Sequence, residues 1–320
     1  MIHAEPADSE TIIASKLFSE GLGSNFYDCR FDNAQFIEGS RTSYVFNSSI
    51  QEIENDDAIL LIGSNPRWEA SVLNVRIRKA YLQNDCKIGI IGKNINLNYN
   101  FIHLSNSISH INEIHDGTSF FCKILNEAKN PLIIIGTSAI NHEEGQNVLN
   151  NCAEIAKKLP NSNNNFNPLN ILHQDISRVG ALDLGYYNSL FNFSFEENLK
   201  NIINKTKPVV FLIGQDEIDM EVLNDAFVVY LGHHGDKGAS VADIILPTPA
   251  YTEKTSTYVN TEGRVLQTSK CHSSLGEAKE EWKIFRALSD SFGNILKFNN
   301  LQELRKKLLV EHSMLSLIHI

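Results

Sequence analysis

The sequence predicts an α/β protein made of Rossmann-like lobes, each built on a parallel β-sheet. Three observations predict this class. Five apolar runs without polar alternation each end in glycine, segments of helical spacing separate them, and one asparagine-rich stretch interrupts the series. Strands buried on both faces have such runs, and their alternation with helices is typical of βαβ units with right-handed crossovers. The runs are residues 57–63, 87–92, 131–136, 208–214 and 227–232.

Predicted helices lie between these strands. Segment 69–82 places Val72, Val75, Lys79 and Leu82 at helical spacing, and its Arg76, Arg78 and Lys79 form a basic face. Segment 143–159 aligns its apolar residues in one stripe in the same way. The other predicted helices are residues 196–204, 218–224, 278–292 and 301–309.

The domain boundary is predicted at the asparagine-rich stretch 161–167. This stretch is polar and lies between Pro160 and Pro168, a composition typical of a loop. The predicted parts of the chain are an N-terminal lead-in (1–45), a first α/β lobe (46–160), a second α/β lobe (168–275), C-terminal helices (276–312) and a non-native apolar tail (313–320).

Composition excludes several classes of function. With 320 residues and 42% hydrophobic content, the chain can bury a large core. Its net charge of −10 argues against nucleic acid as a partner. No apolar run approaches the ~20 residues that span a bilayer, so we expect no direct membrane insertion. Residues 1–10 resemble neither a secretory signal nor a transit peptide.

The segment 242–268, ADIILPTPAYTEKTSTYVNTEGRVLQT, is the most distinctive part of the chain. A short apolar strand ends at Pro247, which cannot donate to a β-ladder. A β-prone run follows, punctuated by Asn260 and by Gly263, whose backbone adopts conformations that other residues resist. We expect Pro247, Asn260, Gly263 and Arg264 to serve the architecture rather than to meet a substrate.

This segment resembles the signature of the molybdopterin-oxidoreductase superfamily. Within it, the chain is most similar to the large iron–sulfur subunit of respiratory complex I, and the resemblance runs from about residue 10 to about residue 310. Motifs that carry it follow the order of that family. They are LLIGSNPRWEASVL (60–73), NVRIRK (74–79), NILH (170–173), ALDLG (181–185) and GHHGDKG (232–238), with a helix at 281–288.

The resemblance is to the cluster-free C-terminal half of that subunit. The family's N-terminal half carries iron–sulfur clusters on closely spaced cysteines, whereas here no CxxC occurs. We therefore expect no cofactor in this chain and iron–sulfur clusters in a cluster-bearing half outside it. The five cysteines are Cys29, Cys86, Cys122, Cys152 and Cys271.

The function implied by the resemblance is structural. The chain would be a domain of the NADH:ubiquinone oxidoreductase peripheral arm, supporting electron transfer from NADH to quinone through clusters outside it. Its implied partners are the cluster-bearing half and other peripheral-arm subunits. Its implied location is the matrix side of the mitochondrial inner membrane or the cytoplasmic face of a bacterial inner membrane. The fragment itself is not expected to be catalytic.

Two other functions remain open at this point. A molybdopterin-dependent oxidoreductase fragment is the main alternative, although no cysteine occupies a recognised ligand context and we expect no molybdopterin. A Rossmann-like nucleotide-binding protein would need the glycine fingerprint GxGxxG, which the chain lacks.

Four local motifs have both a functional and a structural interpretation. Ser64 or Asn65 caps the following helix or helps to hold a phosphate at its N-terminus. The basic cluster Arg67, Arg76, Arg78 and Lys79 is either a docking face for an acidic neighbour or a solvated helix face paired with Glu69. Neither interpretation is preferred for the basic cluster.

The other two motifs are interpreted as structural. His233 and His234 lack further ligands at known spacing for a metal, and Asp236 is expected to cap the next helix. Glu253, Lys254 and Glu262 are expected to form buried ion pairs or to stabilise turns, with Glu262 paired to Arg264. The sequence thus predicts no catalytic, cofactor-binding or metal-binding residue.

Overall fold

The computed structural model describes residues 1–3, 7–160, 167–188, 194–293 and 296–315. Residues 161–166 of the predicted boundary and residues 316–320 of the predicted tail lie outside the described residues. The chain forms two compact units. Unit 1 comprises Met1–Asp32, Asp175–Asn260 and Arg264–Ile320, and unit 2 comprises Asn33–Gln174 and Thr261–Gly263.

The regular elements of the described residues follow in chain order. The strands are β1 (Ile2–His3), β2 (Ala58–Ile62), β3 (Lys87–Ile91), β4 (Ile102–Ser105), β5 (Pro131–Gly136), β6 (Leu169–Leu172), β7 (Val209–Ile213), β8 (Phe227–Gly232), β9 (Ile244–Pro247), β10 (Thr257–Val259) and β11 (Val265–Gln267). The α-helices are α1 (Ser9–Gly21), α2 (Pro66–Glu69), α3 (Ser71–Asn84), α4 (Ile111–His115), α5 (Phe121–Glu127), α6 (Gly145–Lys158), α7 (Arg178–Asp183), α8 (Phe195–Thr206), α9 (Lys237–Ser240), α10 (Glu281–Ser291) and α11 (Leu301–Glu311). Short 3-10 helices lie at Arg41–Ser43, Glu52–Asn55, Ile108–His110, Thr137–Ala139, Met220–Leu223, Tyr251–Glu253 and Ser313–Leu315.

Unit 2 contains a five-stranded parallel sheet in the order β4-β3-β2-β5-β6. The chain enters at the central strand β2, adds β3 and β4 on one side, and then crosses to add β5 and β6 on the other. In a sheet of this doubly wound type, a crevice opens at the carboxyl ends of the strands where the winding direction changes. Here that point lies between β2 and β5.

Alternate residues of the central strands feed two separate apolar layers. Leu60 and Ile133 face a layer that includes residues of α5 and α6, whereas Ile59 and Leu132 face a layer that includes residues of α3. This two-sided burial is why the strands have continuous apolar sequences. It confirms the predicted α/β class.

Unit 1 contains a four-stranded parallel sheet in the order β1-β7-β8-β9. Its first strand comes from the start of the chain, since Ile2 is registered with Leu212. The segment 1–45 is therefore not a separate lead-in, because part of it belongs to this sheet and part to unit 2. Strand β9 ends at Pro247, as expected, and β10 and β11 form an antiparallel hairpin.

The predicted helix of segment 69–82 is present as α3, but the residues at the predicted helical spacing are not its buried face. Helix α3 buries Leu73, Ile77 and Ala80 against the sheet, while Val72, Val75 and Leu82 are 74%, 64% and 61% exposed. Both faces of α3 carry apolar residues, so helical spacing alone does not identify the one that packs.

The remaining helix predictions are mostly confirmed. Helix α6 buries the predicted apolar stripe, and α8, α10 and α11 lie within or close to their predicted segments. Segment 218–224 contains only the 3-10 helix Met220–Leu223. In the described residues, no helix is long and apolar enough to cross a membrane.

Candidate functional site

The carboxyl edge of the unit 2 sheet holds a cavity of about 400 Å³. The loops after β2, β3 and β5 line it, with Ser64, Glu69, Lys93 and Ser138 among the polar residues. Ser64 Oγ donates to Glu69 Oε2 at 2.8 Å, and Asn65 makes no side-chain cap to α2. The predicted side-chain cap of this helix is therefore wrong, because Ser64 is engaged by Glu69 instead.

The loops at this edge pack closely against one another. Gly63 has a φ of +56°, and a Cβ there would lie 2.6 Å from Ala139 Cβ. The tight turn after β2 therefore requires glycine. Lys93 and Glu69 both line this cavity. Their opposite charges leave the cavity without the net positive charge that would attract an anion. Helix α2 has only four residues, which gives it little dipole to bind a phosphate.

The carboxyl edge of the unit 1 sheet carries the paired histidines. The rings of His233 and His234 meet edge to face with centroids 4.5 Å apart, and burial lowers the pKa of His233. Asp236 Oδ1 accepts from Ala239 N at 3.0 Å, which confirms the predicted cap of α9. Tyr230 also donates to Asp236. The Asp236 side chain, in the loop between β8 and α9, thus has a defined structural role.

A cluster of ionisable residues is buried below that edge. Lys254 Nζ lies 2.8 Å from Asp8 Oδ2 and 2.9 Å from Glu281 Oε1. All three residues are at most 7% exposed. Asp8 also caps α1 through Thr11 N at 2.7 Å and accepts from Ser256 Oγ at 2.8 Å. The predicted buried ion pair of Lys254 is confirmed.

A second carboxylate extends the cluster. Glu10 Oε2 accepts from Thr257 N at 2.8 Å, and Glu10 Oε1 accepts from Thr257 Oγ1 at 2.7 Å. Arg305 Nε donates to the same Oε1 at 2.7 Å. The cluster therefore connects α1, β10 and α11 with Lys254 and α10.

Burial and ion pairing act in opposite directions on these groups. Burial opposes ionisation of Asp8, but the Lys254 ammonium outweighs it and holds the pKa of that carboxyl below its usual value. Burial raises the pKa of Glu281, and Lys254 offsets this only in part. Burial also raises the pKa of Glu10, with the Asp8 charge adding to the effect. Despite its burial, Lys254 has a raised pKa because Asp8 and Glu281 flank it.

The cavity beside Lys254 and Glu281 is small. Lys254 and Glu281 line a cavity of only about 20 Å³, which is room for about one water molecule. A general acid or base must reach the proton that it transfers. The arrangement is suited to holding elements of unit 1 together.

The turn between β10 and β11, residues 260–264, is held by short polar contacts. Asn260 Oδ1 accepts from Arg264 N at 2.8 Å, and Glu262 Oε1 accepts from Ile50 N at 2.8 Å. A Cβ on Gly263, at φ +76°, would lie 2.5 Å from Arg41 Nη2. The contacts of Asn260, Glu262 and Gly263 support an architectural role.

The basic cluster is paired differently from the prediction. Arg76 and Lys79 both contact Glu54, which precedes β2. Glu69, the predicted partner, accepts from Ser64 instead. Arg78 is exposed on α3.

Sequence reasoning missed the partners of Lys254 and one wholly buried arginine. Asp8 before Ser-Glu-Thr is a recognisable helix N-cap signal that could have located α1. Arg178 is 1% exposed and its Nη2 lies 2.9 Å from Asp32 Oδ1. Arg178 also contacts Asp175, three residues earlier, so an i,i+3 acid–base spacing is the local signal for it, whereas its partner Asp32 is distant in sequence.

The fold and these motifs define a class of protein. The chain belongs to the molybdopterin oxidoreductase family, whose model matches residues 2–291. Two solved structures share the fold at low identity. They are a formyltransferase/hydrolase complex from Methylorubrum extorquens (TM-score 0.60, 11% identity, 91% of this chain and 90% of that chain) and acetylene hydratase from Pelobacter acetylenicus (TM-score 0.57, 13% identity, 92% and 55%).

Within that class, the chain is similar to one kind of respiratory subunit. It is 42% identical over 276 residues to the NADH-ubiquinone oxidoreductase 75 kDa subunit of Reclinomonas americana, covering 86% of this chain and 39% of that protein. It is 40% identical over 319 residues to the mitochondrial 78 kDa subunit of Neurospora crassa, covering 96% and 41%. The chain thus spans about two fifths of the length of these relatives.

Three observations on the described residues bear on whether they could hold a metal centre. No three His, Cys, Asp or Glu side chains among them are grouped to hold a metal. Burial raises the pKa of the thiols of Cys29, Cys86 and Cys152, whereas the thiolate is the form that binds metals. No cysteine lines the cavity at the unit 2 edge. The absence of the cofactor from this chain stays a prediction.

Proposed function

We propose that this chain is a structural domain of the large iron–sulfur subunit of NADH:ubiquinone oxidoreductase, in the peripheral arm of respiratory complex I. It supports electron transfer from NADH to quinone through clusters that lie outside it. Its partners are the cluster-bearing part of the same subunit and other subunits of the arm. Its location is the matrix side of the inner membrane, or the equivalent cytoplasmic face in a bacterium.

The observation that carries the proposal is the extent of the similarity. Identities of 35–42% extend over 86–96% of the chain, and all four relatives compared are subunits of NADH-ubiquinone oxidoreductase or NADH dehydrogenase. The relatives' names include an iron–sulfur protein and several mitochondrial proteins.

The chemistry of the site supports the same function. The most distinctive polar residues, Lys254 and Glu281, are engaged in ion pairs beside a cavity too small for a substrate. Long-range electron transfer requires redox centres, and the buried thiols are held in the protonated form. A scaffold role needs neither a substrate site nor a metal ligand in this chain.

The test is isolation of the tagged chain from the organism that encodes it. We expect an affinity tag on the chain to recover an assembly that oxidises NADH, contains iron and transfers electrons to a quinone. On a native gel, the tagged chain should comigrate with NADH dehydrogenase activity. Elemental analysis of the same sample should find no stoichiometric molybdenum or tungsten.

Two outcomes would overturn the proposal. A tagged chain that is recovered free of any NADH-oxidising assembly would contradict the scaffold role. Molybdenum or tungsten at one atom per chain would favour the alternative, a molybdopterin-dependent oxidoreductase. An untagged strain processed in parallel controls for nonspecific recovery.

A further inference from the structure

One carboxyl group of unit 2 is buried without a hydrogen-bond partner. Asp56 lies between the 3-10 helix Glu52–Asn55 and β2, and it is 3% exposed. Its Oδ2 is inaccessible to solvent, and no donor of the described residues lies within hydrogen-bond distance of that atom. Buried polar atoms are almost always paired, so an unpaired carboxyl oxygen needs a physical explanation.

The Asp56 carboxyl borders the apolar layer between the sheet and α3. Ile53, whose carbonyl accepts from Asp56 N at 3.1 Å, belongs to this layer, and so does Cys86. Burial raises the pKa of the Cys86 thiol, and the nearby charge of Asp56 adds to that effect. An ionised Asp56 would therefore lie beside apolar groups without the hydrogen bonds that compensate a buried charge.

The charged groups that act on Asp56 are themselves acidic. Asp57 follows it in the chain, and the Asp57 carboxylate accepts from Lys129 N at 2.8 Å and from Asn130 N at 2.9 Å. Glu52, at the start of the 3-10 helix, is exposed. Burial is the largest cause that raises the pKa of Asp56 to about 8, and the charges of Asp57 and Glu52 contribute to the rise.

A proton is the species that fits this site. The side-chain cations around it pair with other carboxylates, namely Arg76 and Lys79 with Glu54, and Lys87 with Asp85. In the described part of the chain, no three His, Cys, Asp or Glu side chains are grouped to hold a metal. Neutralising Asp56 by protonation removes the buried charge without any further ligand.

We propose that Asp56 is a proton-binding site that makes the position of the 3-10 helix Glu52–Asn55 on α3 depend on pH. When Asp56 is neutral, this helix stays against α3, where Glu54 contacts Arg76 and Lys79. The device belongs to the fold of unit 2 and does not rest on the proposed scaffold function.

Loss of the proton moves the end of this short helix. An ionised Asp56 gains hydration only by turning toward solvent, because none of the described residues donates to its Oδ2. Asp56 N is bonded to Ile53 O, so the turn of chain that ends at Asp56 moves with the carboxylate. That movement weakens the contacts of Glu54 with α3, including the bond at 2.5 Å from Asn84 Nδ2 to Glu54 O.

Proton binding by Asp56 links folding to pH with a defined sign. An aspartate of the unfolded chain has a pKa of about 3.9, whereas the pKa of folded Asp56 is about 8. Between these values the folded protein keeps a proton that the unfolded chain releases, so stability falls as the pH rises. One proton can change the folding equilibrium constant by at most about tenfold per pH unit.

The variant Asp56→Asn tests this linkage, since asparagine has the size of a neutral aspartic acid and cannot ionise. By urea denaturation of the full chain, the folding equilibrium constant of the parent relative to Asp56→Asn should fall at least about tenfold from pH 5.5 to pH 7.5. Asp85→Asn is the matched control, because the Asp85 side chain is 84% exposed and its φ of 52° is one that asparagine also adopts. Its ratio to the parent should not change over this range.

Two further measurements follow the site directly. In a carbon-13 NMR titration of the parent, the Asp56 carboxyl should titrate near pH 8, and Glu52→Gln should lower that midpoint slightly. Amide hydrogen exchange of residues 50–57 should be equal in the parent and Asp56→Asn at pH 6.5, and faster in the parent at pH 8.5.

Three outcomes would overturn the proposal. The first is an Asp56 carboxyl that titrates at the usual aspartate value. The second is a pH dependence of stability that is the same in the parent and in Asp56→Asn. The third is titration near pH 8 with no difference in hydrogen exchange at pH 8.5, because the helix would then stay in place when Asp56 ionises.

Discussion

The two parallel sheets of the described residues differ in what is buried beside them. In unit 2, every residue of β2 and β5 is buried, and apolar layers cover both faces. In unit 1, an apolar cluster also packs on the β1–β7–β8–β9 sheet, and in addition Lys254, Asp8 and Glu281 are buried together and connect α1 with α10. Hydrophobic burial is insensitive to pH, whereas a buried ion pair depends on the protonation of each member. The comparison predicts that a substitution that removes a buried charge destabilises unit 1, and that a substitution that creates a cavity destabilises unit 2.

Removing the central cation of unit 1 should have the largest effect. Lys254→Met leaves the carboxyls of Asp8 and Glu281 buried without their shared partner, and breaking a buried ion pair in this way costs about 3–5 kcal/mol. We expect that loss in the free energy of unfolding, measured by urea denaturation at pH 7.5. Lys283→Met is the matched control, since Lys283 pairs with Glu280 at the surface, 47% exposed; it should change little.

The defect of Lys254→Met should shrink as the pH falls. In the parent, Lys254 holds the pKa of Asp8 below its usual value, so the stability from ionised Asp8 is present above that usual value and is lost as the pH falls through the lowered pKa. In the variant, Asp8 and Glu281 can become neutral at a higher pH. The difference between variant and parent should therefore be smaller at pH 4.5 than at pH 7.5. A difference that is constant with pH would contradict the ion-pair explanation.

A cavity in unit 2 should have a comparable or slightly smaller effect that does not depend on pH. Leu60 is fully buried in β2, and replacing a buried leucine with alanine costs about 2–5 kcal/mol. Leu60→Ala should lose that amount equally at pH 5.5 and pH 7.5. Leu82→Ala, at an exposed leucine of the same unit, is the control and should stay within about 0.5 kcal/mol of the parent. A loss that varied with pH would show that the packing of Leu60 is coupled to a titrating group, such as the buried Asp56, whose pKa burial raises to about 8.

The smallest effect is expected at a surface histidine of unit 2. His115 lies 2.7 Å from Glu154 and 3.0 Å from Asp116, and the hydrogen bond to Glu154 raises its pKa. Because its pKa is raised in the folded state, protonated His115 stabilises the fold at pH values below the usual histidine pKa. This stabilisation is lost as the pH rises through the pKa of the folded state. His115→Gln should therefore be slightly destabilised at pH 5.5 and unchanged at pH 9. Glu154→Gln should lower the His115 pKa in an NMR titration, and an unaltered titration would reject the pairing.

The fold class could be predicted because its determinants are local. The runs that form β2, β3, β5, β7 and β8 are apolar apart from Lys87 at the start of β3, and a continuous run of that length indicates burial on both faces. The stripe of α6 was also identified, since its opposite face is polar. In α3 both faces carry apolar residues. The position of the sheet decides that Leu73 is buried and Val72 is exposed, and a periodic pattern holds no information on that position.

The buried cluster could not be predicted for a related reason. Asp8 and Ser256 are in hydrogen-bond contact although they are 248 positions apart in sequence. Polar residues at Ser9, Glu10 and Thr11 give α1 no clear apolar face, and their burial makes sense only beside Lys254 and Thr257. A single sequence indicates that such charges exist, but the fold decides which of them meet.

The pairing of β1 with β7 has a consequence for synthesis on the ribosome. Ile2 is registered with Leu212, about 210 residues later in the chain. At roughly 5–20 residues per second, the segment Met1–Asp32 waits tens of seconds for its partner strand, while Asn33–Gln174 of unit 2 emerges in between. Helix α1, whose Ile12, Ile13 and Phe18 are buried in the folded protein, is therefore exposed during translation, and binding by a chaperone at that stage would protect it until β7 is made.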